Sequence, residues 1–421
     1  MIKASSLFYA IVISLLIAIV SSSLILFAYL STIQFDNFEM SQRLKLNVDS
    51  GISLLLSKQS IVEPNQQKTV DLYGTKEDEV FLSRKTWGAY ELIISKAVFK
   101  NQQEIKIAQI GYFSDTIKKY SLYLADEDKP LAVCGKNIIK GTAYLPKAGI
   151  KRAYIEGQNF VGNNMVDGQI KESEKQLPKF NEALINIIEG YLSKKEFSEN
   201  DSIVEIANEL SGDSIKNSFL NKTIVFETDA LLSILNGFYA GNIIISSSKQ
   251  ITVSSDAFLD NVILVAPKII FEKHVNGVVQ AFASDSIIVK ENVTLLYPSC
   301  LAVIKTTDVI PVSAIVLNEN DSISGAVFCF KKTQNPLKQV GVILKKNTFV
   351  YGQVFTSGYV DMQGVVVGSV MCNKILLTTP ASVYENHLLN AEIDNTKLSK
   401  YFVGINLVEE SEFKKVVKWL D

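Results

Sequence analysis

Arginine is almost absent from this chain. Arg43, Arg84 and Arg152 are the only three among 42 basic residues. Arginine is the side chain best shaped for bidentate capture of phosphate or carboxylate, so its scarcity argues against an enzyme of phosphate esters or acidic sugars. A charge excess is missing too. The 42 basic residues face 44 acidic ones, a formal net charge of −2, which excludes the basic footprint of general nucleic-acid binding. There are two histidines, His274 and His387, far apart in sequence. The four cysteines, Cys134, Cys300, Cys329 and Cys372, lack any CxxC spacing, which speaks against zinc sites and thioredoxin-type chemistry. No phosphate loop, dinucleotide fingerprint or nucleophile motif is found. No cofactor or metal site is expected, and with 421 residues the chain has room for two or three domains.

A long uncharged run is present. Residues 7–30 carry no charge, and as a helix they span roughly 36 Å, enough to cross a bilayer. The run is longer than a signal-peptide core, and Phe27-Ala28-Tyr29-Leu30 is a poor cleavage context. Residues 1–33 are therefore read as an uncleaved transmembrane anchor that contacts membrane lipid. Ala10, Ser14, Ala18 and Ser22 fall four apart on one face, a spacing that allows close helix–helix approach in lipid. Basic residues flank both ends of the run (Lys3 before it, Arg43 and Lys45 after it), so the positive-inside count leaves orientation open. A β-rich body and an even cysteine count favour export of that body. Phe35, Phe38, Leu44, Val48, Ile52 and Leu55 continue a helical stripe. Residues 34–58 are thus an amphipathic extension that stops before Pro64.

Such a helix, apolar first and amphipathic second, ahead of a β-rich body, resembles a pilin or pseudopilin. Residues 1–57 carry the likeness. Lys3-Ala4 stands where pilin precursors are processed, but the fifth residue after it is Tyr9 instead of the family's Glu. The resemblance therefore implies a non-processed or minor pilin-like component.

Residues 66–129 are read as a small antiparallel β-domain of four or five strands, from alternating stretches such as Val70–Tyr73, Tyr90–Ile94 and Glu104–Ala108. Asp126-Glu127-Asp128 is an acidic turn. In the second half an apolar pattern returns about every eighteen residues: Ala257, Val275, Val293; Ile251, Ile269, Ile287; and, more loosely, Ile243, Val262, Ala281, Leu301. A fixed period of this length signals stacked units. Residues 130–172 are read as the first coils of a right-handed β-helix (β-solenoid). Residues 173–222 form a helical insertion with helices near 178–195 and 203–210, and 223–396 the main stack. Residues 397–421 are expected to cap the last coil, whose open edge would otherwise be unpaired. Cys300, Cys329 and Cys372 fall in the repetitive region, where two could meet as a disulfide or all could fill small buried positions as thiols. The Gly-x-Val rhythm of residues 350–393 resembles bactofilins, which implies a triangular β-helix and a scaffold role.

Some β-helices cleave polysaccharides with paired carboxylates. Asp256 with Asp260, or Asp285 with Glu291, are the candidates, and Asp256, His274 and Asn292 lie at equal steps that would place them in one corner column. A polar corner ladder explains that column without catalysis, and no enzymatic role is expected. The fold class expected is mainly β: a transmembrane helix, a small antiparallel domain and a β-helix with a helical insertion. The function expected is a single-pass structural or assembly protein of the bacterial cell envelope, in the inner membrane with its body outside the cytoplasm. Its partners would be lipid, other pilin-like or envelope-assembly proteins, or further copies of itself, and not nucleic acid. The alternatives are an adhesin-like module displaying the β-helix, or a membrane-linked bactofilin-like scaffold.

Overall fold

The computed structural model describes residues 4–57, 61–74, 78–113, 120–197, 201–212, 214–305, 312–332, 339–408 and 413–420. The protein is mainly β, with one long apolar helix at its start and a small antiparallel sheet. It divides into two compact units, Met1–Arg84 with Ile93–Ile107, and Lys85–Leu92 with Ala108–Asp421.

In the first unit, helix α1 (Ala4–Leu56) runs unbroken for 53 residues. Its apolar first half contains neither Gly nor Pro, and leucine, alanine and isoleucine there favour an uninterrupted helix. It ends at Ser57, whose amide and hydroxyl both return to the Leu54 carbonyl (3.3 and 2.7 Å). Its second half buries Leu44, Val48, Ile52 and Leu55, each burial contributing about 1.5–3 kcal/mol. Strands β1 (Gln66–Asp71), β2 (Glu79–Trp87), β3 (Tyr90–Phe99) and β4 (Gln102–Tyr112) follow one another as a meander. Alternation in β2 buries Val80 and Leu82 while Phe81 stays outside, the period-two signature of a sheet with one covered face. Gly51 is the point of closest approach. A Cβ there would sit 2.8 Å from Leu82 and 2.9 Å from Val80, and nearer still to the Ser95 hydroxyl. A glycine inside a helix costs about 1 kcal/mol relative to alanine, and here it lets the helix lie against the strands.

The second unit is built on parallel ladders. Ile269 pairs with Ile287, Ile287 with Ile315, Ile315 with Val342, Val342 with Val360, and Val360 with Ile375. All six are fully buried. The step is 18 residues from Ile269 to Ile287 and 28 from Ile287 to Ile315, so an excursion from the strands leaves the inward register intact. Within the expected third track, Ala281 pairs with Leu264 and Leu301, whereas Val262 pairs with Val279. Gly325, Gly352 and Gly368 stack in register at positive φ (139°, 141° and 148°). A Cβ on Gly352 or Gly368 would strike the carbonyl oxygen of the glycine before it, which explains the Gly-x-Val rhythm.

The order of stacking differs from the expected one. Val370 pairs with Leu122, Leu122 with Ala143, and Ala143 with Ile170. Ile393 pairs with Ile139, and Leu388 with Val133. Residues 122–172 therefore continue the C-terminal end of the ladders instead of beginning them. The segment expected as a helix near 203–210 forms strands Ser202–Glu205 and Glu209–Leu210, and with Ser214–Asn217 these pair onto residues 224–241. Val204 and Ile203 are β-branched and align with Phe226 and Val225, so strand pairing prevails over an ambiguous period. At the two extremes, Ser202–Glu205 and Ile170–Glu172 are exposed along their whole length.

Helix α2 (Glu182–Leu192) joins the two ends. Asn181 caps it, its side chain accepting from the amides of Ala183 and Leu184 (3.0 and 3.4 Å). Its start is therefore set by an N-cap asparagine, three residues later than the expected 178. Leu184, Ile185, Ile188 and Tyr191 are buried, and the Tyr191 ring lies 5.7 Å from that of Phe282. The helix thus flanks the strands. The C-terminal segment also lies along the side. Phe402 packs on Tyr297 and Tyr351 (5.6 and 5.8 Å), the Tyr297 hydroxyl donates to the Val403 carbonyl (2.8 Å), and Ile405 N–H donates to Gln353 (3.1 Å). The final strand, Lys414–Leu420, borders the last residues of β4. The expected cap is thus a lateral strap, because residues 122–172 already pair with the edge it was meant to cover.

Candidate functional site

The first candidate is α1 itself. It is long and apolar enough to cross a membrane. Ala10, Ser14, Ala18 and Ser22 all lie on its exposed part. Ser14 turns its hydroxyl back to the Ile11 carbonyl (2.8 Å), which satisfies that donor within the helix. Leu7, Phe8, Ile11 and Leu15 are exposed around it. One helical turn past Glu39, Asp78 receives Arg43 through two bonds (2.7 and 2.6 Å) and Asn47 through a third (2.8 Å). Asp78 is buried. The paired guanidinium fork and carboxylate fix the rotation of α1 against the loop between β1 and β2.

The second candidate is a cavity of about 460 Å³ on the flank of the second unit, whose lining includes Glu127, Gln339, Ser357, Tyr359, Lys374 and Glu385. Lys374 Nζ sits between two carboxylates, 2.8 Å from Glu127 and 2.7 Å from Glu385. Lys129 reaches Glu385 from the other side. Hydrogen bonds to Glu127 and then Glu385 hold the Lys374 ammonium above its ordinary pKa. Those from Lys129 and then Lys374 hold Glu385 below its own. Each group is thus fixed in its charged form. That suits hydrogen bonding to a polar ligand and opposes the proton exchange that general acid–base work needs. Burial raises the Tyr359 phenol, which stays a neutral donor and acceptor.

The carboxylates singled out from sequence do not form one cluster. Asp260 pairs with Lys418 (3.1 Å), Glu291 with Lys273 (3.1 Å), and Asp285 accepts from the Ser286 hydroxyl (3.1 Å). Asp256 aligns with Asn236. His274 and Asn292 do share a kind of corner, joined by Asn320 and Asn347, all four at φ between 59° and 65°. The Asn320 amide reaches the Asn292 oxygen (3.4 Å). Asparagine tolerates this left-handed conformation, so these residues turn the chain. In the acidic turn, Asp126 is buried and accepts from the Asp128 amide (2.9 Å), while Glu127 and Asp128 pair with Lys374 and Lys175. Among the described residues no group of three or more metal-ligating side chains is present. Cys134, Cys300, Cys329 and Cys372 are buried and free. Burial pushes the Cys329 thiol up to about 12, and raises Cys300 and Cys372 as well.

The Glu127–Lys374–Glu385 arrangement went unnoticed in the sequence. Glu127 is far in the chain from Lys374 and Glu385, and the pairing of 122–124 with 370–372 brings it to Lys374. Comparison with protein-family models, with curated proteins and with solved structures found no match.

Proposed function

We propose that this chain is a non-enzymatic, single-pass structural or assembly protein of the bacterial cell envelope, a pilin-like or secretion-apparatus-associated component whose body is a right-handed β-helix. The observation that carries the reading is the continuity of α1. One unbroken helix has an exposed apolar first half and a second half that seats a sheet. A rod of this kind places a folded body at a fixed height above lipid, and its exposed face is available to similar helices. The parallel ladders support a β-helix, because each strand satisfies its backbone groups through neighbours above and below. The strong right-handed preference of parallel crossovers supports the hand.

The test is to change Ser14 and Ala18 to Leu in the full-length protein, crosslink intact cells and identify the neighbours by mass spectrometry. Recovery of pilin-like or secretion-machine subunits with the parent, and their loss from the variant, is expected. Unchanged complexes in the variant would remove the physical support for helix packing.

A second reading, an adhesin-like binding module, is favoured by the charged cavity around Lys374. It predicts that function survives when another anchor replaces the exposed apolar first half of α1, and that Lys374→Ala abolishes it.

A further inference from the structure

The flank cavity of about 460 Å³ falls within the roughly 300–1,000 Å³ of small-ligand sites, and one row of the parallel ladders runs through its lining. Gly341 pairs with Tyr359, and Tyr359 with Lys374. Their neighbours Val342, Val360 and Ile375 point inward and are fully buried, so these three point outward, on strands about 4.8 Å apart. Gly341 has no side chain, and the Tyr359 ring fills the space. A Cβ on Gly341 would meet Cζ, Cε2 and Cε1 of that ring, the last two at 2.6 and 2.7 Å. Carbons on either side of Cζ at nearly equal distances mean that the ring turns a face, and not an edge, toward the glycine. It therefore lies along the sheet with its other face outward. Tyr359 is half-buried there and lines the cavity.

Polar groups stand beside this aromatic face. The Lys374 ammonium has three donors. Two are directed to Glu127 (2.8 Å) and Glu385 (2.7 Å), which leaves one. Glu127 takes Lys374 through Oε2, and its Oε1 is a further acceptor. A charged donor and a charged acceptor are thus adjacent, one strand away from the ring. The described lining carries two lysines, Lys331 and Lys374, and two carboxylates, Glu127 and Glu385. With charge balanced, a ligand of either sign meets repulsion as well as attraction. Gln339, two residues before Gly341 on the same face of its strand, adds an amide to the lining. A sugar hydroxyl both donates and accepts, so two neighbouring hydroxyls match a lysine beside a glutamate. The C–H face of a sugar ring is apolar and suits the face of a tyrosine, whose body is apolar and whose tip is polar.

We propose that this cavity binds a neutral saccharide, with one face of the sugar ring stacked on Tyr359 and two adjacent hydroxyls bonded to Lys374 and Glu127. The proposal rests on the binding-module reading of the cavity and names its ligand class. Gly341 is a positioning residue, because any side chain there would lift the Tyr359 ring off the sheet.

Full-length protein in a polyoxyethylene detergent, which has no sugar headgroup, would be mixed with the methyl glycosides of glucose, galactose, mannose and N-acetylglucosamine. Glucuronate, choline and inorganic phosphate are the charged probes. Saturation-transfer NMR reads which ligand protons touch the protein, and phosphate binding is read by phosphorus line broadening. The expected result is transfer to at least one methyl glycoside, concentrated on the protons of one ring face. Tyr359→Leu and Gly341→Ala should lose it while keeping the circular dichroism of the parent. Glu127→Gln should weaken it roughly tenfold. Glu127 is half-buried and glutamine keeps its shape, so this variant reads the site even where a change at 359 or 341 unfolds the chain. Transfer unchanged in Glu127→Gln, or surviving in a folded Tyr359→Leu, would place the sugar elsewhere and overturn the proposal. Binding of charged probes alone, lost in Lys374→Ala, would overturn the neutral-saccharide assignment and leave the binding-module reading standing. Binding of no probe at all would overturn both.

Discussion

Asp321 offers a quantitative test of the stacked architecture. Its side chain is fully buried at a corner between ladders, where it accepts from the amides of Val293 (2.9 Å) and Asn318 (2.7 Å). Burial penalises the carboxylate and raises its pKa from 3.8 to about 7, against the opposing pull of those two N–H groups. A raised acid pKa means that the folded state holds its proton where the unfolded chain has lost it. Stability is therefore gained as pH falls through about 7, and the gain is complete below about 4, where both states are protonated. The full effect is roughly 4 kcal/mol at about 1.4 kcal/mol per unit, and lowering the pH from about 8 to about 5 should recover roughly 3 kcal/mol of it. Asp321→Asn keeps an acceptor oxygen and removes the titration. The assay is the urea midpoint of full-length protein in detergent, followed by circular dichroism at both pH values. The wild-type midpoint should rise at the lower pH by more than that of the Asn variant, with the difference between the two carrying the effect. Equal pH responses in both proteins would refute the buried-carboxylate argument.

Gly51→Ala should destabilise the first unit even though alanine is the better helix former by about 1 kcal/mol, because its methyl meets Leu82, Val80 and Ser95; thermal melting of the variant should fall below that of the parent. Gly352→Ala should cost more than about 1 kcal/mol, since its φ of 141° and the neighbouring Gly325 carbonyl both exclude a methyl, read as a lowered urea midpoint. All four cysteines should resist a bulky maleimide in the folded protein and react only after denaturation, measured by mass, because each is buried and burial raises the thiols of Cys300, Cys329 and Cys372.

Periodicity exposed the inward positions of the ladders but not their order. Ile269 over Ile287 was legible because the step is short and both side chains are β-branched. Ile287 over Ile315 was not, because ten further residues intervene. The end of the small sheet was misplaced for a related reason. Leu122–Leu124 reads as one more short strand after β4, yet it pairs in parallel with Val370–Cys372. A strand's own composition states that it has an apolar face and says little about which edge will receive it. The long apolar helix and its amphipathic extension were legible because both depend only on local sequence. The Glu127–Lys374–Glu385 site was not, because it depends on the edge that received Leu122.

That choice of edge can be tested by coupling. If residues 122–172 continue the C-terminal end of the ladders, Leu122 and Val370 are direct neighbours. Leu122→Ala should cost about 2–5 kcal/mol as a buried cavity. Val370→Ala should cost less, as the smaller residue. The double variant should then show a coupling of about 0.5–3 kcal/mol between the two. Sequential stacking would instead bring the 122–172 coils toward the strands that follow them, at Ile224–Thr228. In the structure the neighbours of Phe226 are Val204 and Ile245, so Leu122→Ala and Phe226→Ala should add without coupling. Coupling of Leu122 to Phe226 and not to Val370 would reverse the order of the stack. It would also separate Glu127 from Lys374 and dissolve the charged cavity. The candidate binding site and the topology therefore stand or fall on the same pair of residues.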